Sequence, residues 1–141
     1  NTGMVSSIDP SVVNLLDSTS FIPVIAPIGI GDDYKTYNIN ADIVAGKIAK
    51  ILQAGKYVVL TNTTGIFDDD GNLIKSINAE QVRQLVKKGT ISSGMLPKVE
   101  SALEAVSAGV HNVQIIDGTI EHALLLELFT DEGVGTMIRR T

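Results

Sequence analysis

Three short, unbroken runs rich in Val and Ile, at residues 21–28, 57–60 and 113–116, alternate with stretches whose apolar residues recur at a helical period. Short runs that are largely apolar are typical of central parallel strands, which are buried on both faces. The intervening helical patterns are Val44, Ile48, Ile51 and Leu52; Val82, Leu85 and Val86; Leu96, Val99, Leu103 and Val106; and Leu124, Leu125 and Leu128. Strand alternating with helix predicts an α/β fold, a mostly parallel sheet with helices on its faces, whose ligands lie beyond the carboxyl ends of the strands. A length of 141 residues suits one domain over 1–141. Between Ile66-Phe67 and Leu73-Ile74, Asp70-Gly71 reads as a hairpin turn, and Asn78 followed by Gln81 as a capping arrangement opening a helix.

Charge and composition exclude several functions. A net charge of -5 lacks the positive field that a phosphate backbone requires, so nucleic acid is not an expected partner. The chain has no cysteine, which removes disulfides, thiolate metal sites and thiol nucleophiles. Its apolar runs fall far short of the about 20 residues that a membrane helix needs, so no membrane span is expected and the cytoplasm is the default compartment. The opening Asn1-Thr2-Gly3-Met4 is neither a signal nor a transit peptide and lacks an initiator methionine, which suggests a fragment.

Several motifs resolve into turns. Gly29-Ile30-Gly31 follows an expected strand, but Tyr34 stands where a dinucleotide fingerprint needs its third glycine. No GxxxxGK[ST] run occurs, so a P-loop is excluded. Asp68-Asp69-Asp70-Gly71 would place the first ligand of a calcium loop on Ile66, and therefore reads as a solvated turn. His111 and His122 stand without metal-spaced partners, and no protein metal site is expected.

Two segments are more informative. Tyr37-Asn38-Ile39-Asn40-Ala41-Asp42 places two amides and a carboxylate where an extended segment meets a helix. Asn40 can cap that helix and Asp42 can complement its dipole, a purely structural account that has no use for Asn38. Farther on, Leu96-Pro97 opens a helix and puts Lys98 beside the positive end of its dipole, an unfavourable place for a cation unless an anion sits there. The preceding loop, Gly89-Thr90-Ile91-Ser92-Ser93-Gly94, is built of small residues whose backbone donors can approach phosphates. Lys98 is thus either part of an anion site or a solvated lysine, and Met95 either packs on a flat ring or fills a core gap.

These two segments, with Ile25-Ala26-Pro27-Ile28-Gly29 and Leu126-Glu127-Leu128-Phe129-Thr130, resemble acetylglutamate kinases, and the likeness extends over essentially the whole chain. The resemblance implies the carboxyl-terminal, ATP-binding lobe of an amino acid kinase (carbamate kinase-like) fold, an open three-layer αβα sandwich. It implies phosphorylation of the side-chain carboxylate of N-acetyl-L-glutamate by ATP with Mg²⁺, a step of arginine biosynthesis. By carry-over, Lys98 and Asp42 are catalytic, Asn38 and Asn40 lie at the acetylglutamate, and Asn62, Gly65, Gly94 and Met95 surround the nucleotide. The full-length protein is expected to be a homo-oligomer, in the cytoplasm or, in a photosynthetic eukaryote, the plastid stroma. The chemistry suits this residue set. A side-chain carboxylate of pKa about 4.3 is already an ionised nucleophile at neutral pH, so the reaction needs alignment and charge cancellation rather than a general base.

Departures from the family pattern accompany the likeness. Asn62 stands where family members usually carry aspartate, and the amino-terminal half, with its own lysine, glycine-rich loop and dimer surface, is missing, so the chain alone is expected to be inactive. The segment 121–136 resembles the version found in arginine-inhibited members, making Glu127 the candidate partner of the effector's guanidinium and Gly133 part of the loop at its other end. Leu124, Leu125 and Leu128 are expected to pack the same helix, and Gln114 replaces a histidine that some arginine-sensitive members carry. Alternative readings are a non-catalytic arginine- or nucleotide-binding regulatory fragment, or another kinase of this fold acting on aspartate, glutamate or uridylate.

Overall fold

The computed structural model describes residues 1–130 and 133–140. In chain order the elements are α1 (Ser11–Ser18), β1 (Ile28–Ile30), β2 (Thr36–Asn38), α2 (Ala41–Ile51), β3 (Lys56–Thr61), β4 (Ser76–Asn78), α3 (Ala79–Lys88), α4 (Leu96–Ser107), β5 (Asn112–Asp117), α5 (Ala123–Phe129) and β6 (Thr136–Arg139). Four strands form a mixed sheet in the order β3-β5-β6-β4. Two of its pairings, β3 with β5 and β4 with β6, are parallel, and β5 with β6 is antiparallel. A separate antiparallel pair, β1 and β2, leads into α2.

Alternation along the strands divides the molecule into layers. Tyr57, Val59, Val113, Ile115 and Ile138 join Val99, Ala102, Ala105 and Val106 of α4 in the main core cluster. Gln114, of opposite parity on β5, instead receives Glu127 of α5. Helices α2, α3 and α4 therefore cover one face of the sheet and α5 the other. Burial on both faces explains why β5 is an almost unbroken apolar run.

The helix signals are met by geometry. Asn40 caps α2, its side-chain oxygen accepting from the backbone N–H groups of Asp42 and Ile43. Asn78 and Gln81 form a reciprocal capping box on α3. Helix α4 has no side-chain cap and carries Pro in its first turn. The 66–74 hairpin closes through the Phe67–Leu73 bridge, with Gly71 at φ +82° in its turn. It is tied to β6 by Thr136, whose hydroxyl accepts from Ile66 N–H and donates to the Ile74 carbonyl.

Three expectations need correction. Residues 21–26 form no strand, and Ile22 and Val24 are 91% and 96% exposed; Pro23 and Pro27 have no N–H to give to a ladder, which opposes a central strand here. Strand β3 forms, but at the edge of the sheet among the described residues. Leu124, Leu125 and Leu128 are exposed, whereas the buried residues of α5 are Ala123 and Glu127. The short helix turns Ala123 and Glu127, not these leucines, inward, with Glu127 meeting β5.

Candidate active site

Parallel pairing of β3 with β5 fixes where the loops gather. Helix α2 precedes β3 and helix α4 precedes β5, and the two helices pack closely where Gly46 faces Ser101. Asp42 lies in the first turn of α2 and Lys98 in the first turn of α4. Their side chains meet: Lys98 Nζ donates to Asp42 Oδ2 at 2.8 Å, and each side chain keeps about a fifth of its surface exposed. The anion that Lys98 needs at the positive end of its helix is thus Asp42. Among the described residues this is the ammonium's one hydrogen bond, and a lysine has three to donate.

The small-residue loop and the hairpin enclose a pocket of about 150 Å³, into which Thr63, Gly65, Phe67, Thr90, Ser92 and Met95 project. Gly65 is required there by close approach: at φ +156° a Cβ would lie 2.9 Å from Leu73 Cδ1 and 3.1 Å from the backbone N of Thr136. Met95 is buried in the core, as the gap-filling reading expects, and also lines this pocket. Asn62 and Gly94 are exposed next to it in sequence and do not line it. The rim is latched by Asp69, which accepts from Thr90 Oγ1 and lies 3.4 Å from Lys88 Nζ. The Thr90 hydrogen bond, then Lys88, hold the Asp69 carboxyl below the usual carboxylate range.

Asn38 stands exposed at the end of β2, and Asn40 commits its side-chain oxygen to the α2 cap. His111 and His122 are exposed. Among the described residues no three His, Asp or Glu side chains converge as a metal cage, and no helix is long and apolar enough to cross a membrane.

On the α5 face lies a second polar cluster. Glu127 is buried, and its Oε1 accepts from Lys56 Nζ at 2.9 Å and Gln114 Nε2 at 2.8 Å. Glu127 Oε2, Gln114 Oε1 and Asn112 Oδ1 are buried without a hydrogen-bond partner among the described residues. Gln114 and Gly133 line one open recess of about 680 Å³ beside them. Sequence reasoning had found Glu127, Gln114 and Gly133 but not Lys56; its exposed start-of-strand position gave no signal. Nor had it found Tyr57 and Ser101, which lie beneath the Asp42–Lys98 pair.

Residues 1–117 match the family model described as the Amino acid kinase family. Over 139 residues the chain is 57% identical to the acetylglutamate kinase of Nitrosococcus oceani, covering 99% of this chain and 46% of that protein. It is 58% identical over 137 residues to the acetylglutamate kinase of Azoarcus sp., with coverage of 97% and 46%. The chain therefore spans a little under half the length of these curated relatives. Among solved structures, N-acetylglutamate synthase from Neisseria gonorrhoeae, complexed with coenzyme A and L-arginine, superposes with a TM-score of 0.91 at 32% identity, over 99% of this chain and 32% of that one. Carbamate kinase from Giardia lamblia bound to AMP-PNP superposes with a TM-score of 0.68 at 21% identity, over 93% and 44%, a likeness of fold.

Proposed function

This chain belongs to the amino acid kinase family, and on that premise we propose that it is the ATP-binding lobe of an acetylglutamate kinase, which transfers the γ-phosphoryl group of ATP to the side-chain carboxylate of N-acetyl-L-glutamate. The observation that carries this reading is the Asp42–Lys98 pair, formed between the first turns of α2 and α4. A carboxylate approaching a polyphosphate meets strong repulsion, and the transition state spreads charge over the transferred oxygens, so a preset cation is the chief requirement. Asp42 holds Lys98 in place with one of its three donors and leaves two for phosphate oxygens. Asn38 and Asn40 face the acetylglutamate, Asn40 through its amide N–H group, since its oxygen caps α2.

Gly65 and Met95, with Gly94 and Asn62 alongside, surround the nucleotide, and the small residues of the 89–94 loop admit phosphates close to backbone N–H groups. The residues present suit a magnesium ion carried on phosphate oxygens and water, the ordinary situation for that ion. When bound it adds charge neutralisation to that of Lys98. This reading includes a full-length homo-oligomer in the cytoplasm, the other half supplying the remaining contacts. The test is turnover of the full-length protein with N-acetylglutamate, aspartate, glutamate and uridylate as acceptors, beside binding of magnesium AMP-PNP. Lys98→Ala should depress turnover by about 100-fold or more with the fold intact. Near-normal turnover in that variant removes Lys98 from the mechanism, and preference for another acceptor reassigns the kinase.

A second reading, regulation by arginine, is favoured by one observation: Glu127 Oε2, Gln114 Oε1 and Asn112 Oδ1 are buried acceptors without partners among the described residues. A guanidinium offers five donors and a positive charge, which matches that set. Glu127 and Gln114 would receive it, with the loop at Gly133 alongside.

A further inference from the structure

Beneath the Asp42–Lys98 pair lies a buried polar knot that neither ion contacts through its charged group. Ser101 stands one turn after Lys98 on α4, on the same helix face. Its hydroxyl donates to the backbone carbonyl of Asp42 at 2.6 Å. The Tyr57 hydroxyl, from β3, lies 3.2 Å from Ser101 Oγ and 3.3 Å from the same carbonyl. Both side chains are buried, at 7% and 6% exposure. Serine has one proton to give, and the 2.6 Å contact takes it to the carbonyl, so Tyr57 is the donor to Ser101. Burial pushes the Tyr57 phenol above its ordinary pKa, against the opposing pull of the Ser101 hydrogen bond, so it keeps that proton at neutral pH.

We propose that Ser101, with Tyr57 behind it, is a positioning residue that sets the distance and orientation of Lys98 relative to Asp42. The inference rests on the kinase reading above. The peptide plane of the Asp42 carbonyl is held at its Ile43 N–H by the Asn40 cap and at its oxygen by Ser101, so losing Ser101 leaves one restraint and lets the plane tilt and swing the carboxylate. Ser101 holds that plane from α4, the helix that carries Lys98, while Tyr57 anchors both to the sheet. Contact is close because Gly46, one turn after Asp42, faces Ser101: a Cβ at Gly46 would collide with Ser101 Oγ. The knot thus couples the two helices where the catalytic ion pair depends on their separation.

The experiment is steady-state kinetics of the full-length protein with Ser101→Ala, Lys98→Ala and the double variant, with thermal midpoints followed in parallel. A displacement of about 1 Å at reacting groups can cost as much as 100-fold in rate, so Ser101→Ala should lower kcat about tenfold, with KM for both substrates changed less than about twofold. In the Lys98→Ala background the same substitution should cost nothing further, because its effect passes through Lys98. An unchanged kcat, or an equal loss with and without Lys98, overturns the inference; a general loosening of the fold produces the latter. If Ser101→Ala does not fold, Tyr57→Phe, which removes one oxygen from an otherwise intact ring, is judged by the same two criteria. Normal turnover in Lys98→Ala itself sinks the kinase site and this inference with it, an outcome distinct from a dead Lys98→Ala beside a normal Ser101→Ala.

Discussion

The two faces of β5 carry polar clusters of opposite character. On the α4 face Asp42, Lys98, Ser101 and Tyr57 are linked, every proton of the buried hydroxyls has an acceptor, and Lys98 keeps two donors for a ligand. On the α5 face Glu127 and Gln114 share one hydrogen bond while Glu127 Oε2, Gln114 Oε1 and Asn112 Oδ1 face no donor among the described residues. An unsatisfied buried acceptor costs about 1–3 kcal/mol, a cost that a donor-rich ligand relieves on binding. The first cluster is complete in its hydroxyl protons and suits a site where geometry must be fixed before substrate arrives. The second is short of donors and suits a site whose equilibrium a ligand is meant to shift.

The strongest way to break this comparison is to loosen the complete side. Gly46→Ala drives a methyl group into Ser101 Oγ and within 3.3 Å of the Ser101 carbonyl oxygen. The hydroxyl must rotate off the Asp42 carbonyl or the helices must part. A loss of about 1–3 kcal/mol in unfolding free energy by urea titration is expected, the usual cost of overpacking. Adding Ser101→Ala to Gly46→Ala should restore part of that loss, because the colliding oxygen is gone. Strict additivity of the two substitutions would show that they do not meet as described.

The incomplete side is sharpened by charge. Calorimetric titration of arginine into the full-length protein should give a saturable heat, and the thermal midpoint should rise with arginine concentration; a ligand at 100 times its Kd adds about 2.7 kcal/mol. Glu127→Gln keeps the shape but removes the charge, and both signals should vanish. Binding that survives Glu127→Gln, or a wild-type protein without any heat of binding, rejects the effector pocket.

How much of this was legible depended on whether a feature is local. Strands β3 and β5 and helices α2, α3 and α4 were read from periodicity, which the chain carries residue by residue. Residues 21–26 were misread because an apolar run says nothing about whether a neighbour is present to pair with it, although Pro23 and Pro27 argue against a central strand. The α5 leucines misled in the same way: apolar spacing indicated a packed stripe, while the buried side chain is Glu127. Lys98 was legible as a cation in the wrong place for a helix dipole, although its partner lies 56 residues away. Ser101 and Tyr57 left no such trace, since a serine within a helix and a tyrosine within a strand are ordinary. Gly46 did leave one, because a glycine inside a helix costs about 1 kcal/mol relative to alanine and so marks a close approach.

The smallest effect concerns the rim of the pocket proposed for the nucleotide and separates a latch from mere surface charge. Asp69 ties the 66–74 hairpin to Thr90 and Lys88, and the Thr90 hydrogen bond lowers its pKa in the folded chain. A carboxyl depressed on folding adds stability above its unfolded pKa of about 3.9 and loses it as pH falls through the folded value. Asp69→Asn should therefore lower the thermal midpoint slightly at neutral pH, and the gap to wild type should close as pH drops below about 4. Affinity for magnesium AMP-PNP should fall by less than about fivefold, the scale of an exposed pair. A midpoint gap that stays constant with pH would mean that the Asp69 carboxylate charge does not hold the latch, and would leave the Thr90 hydroxyl and the hairpin backbone to shape that side of the pocket.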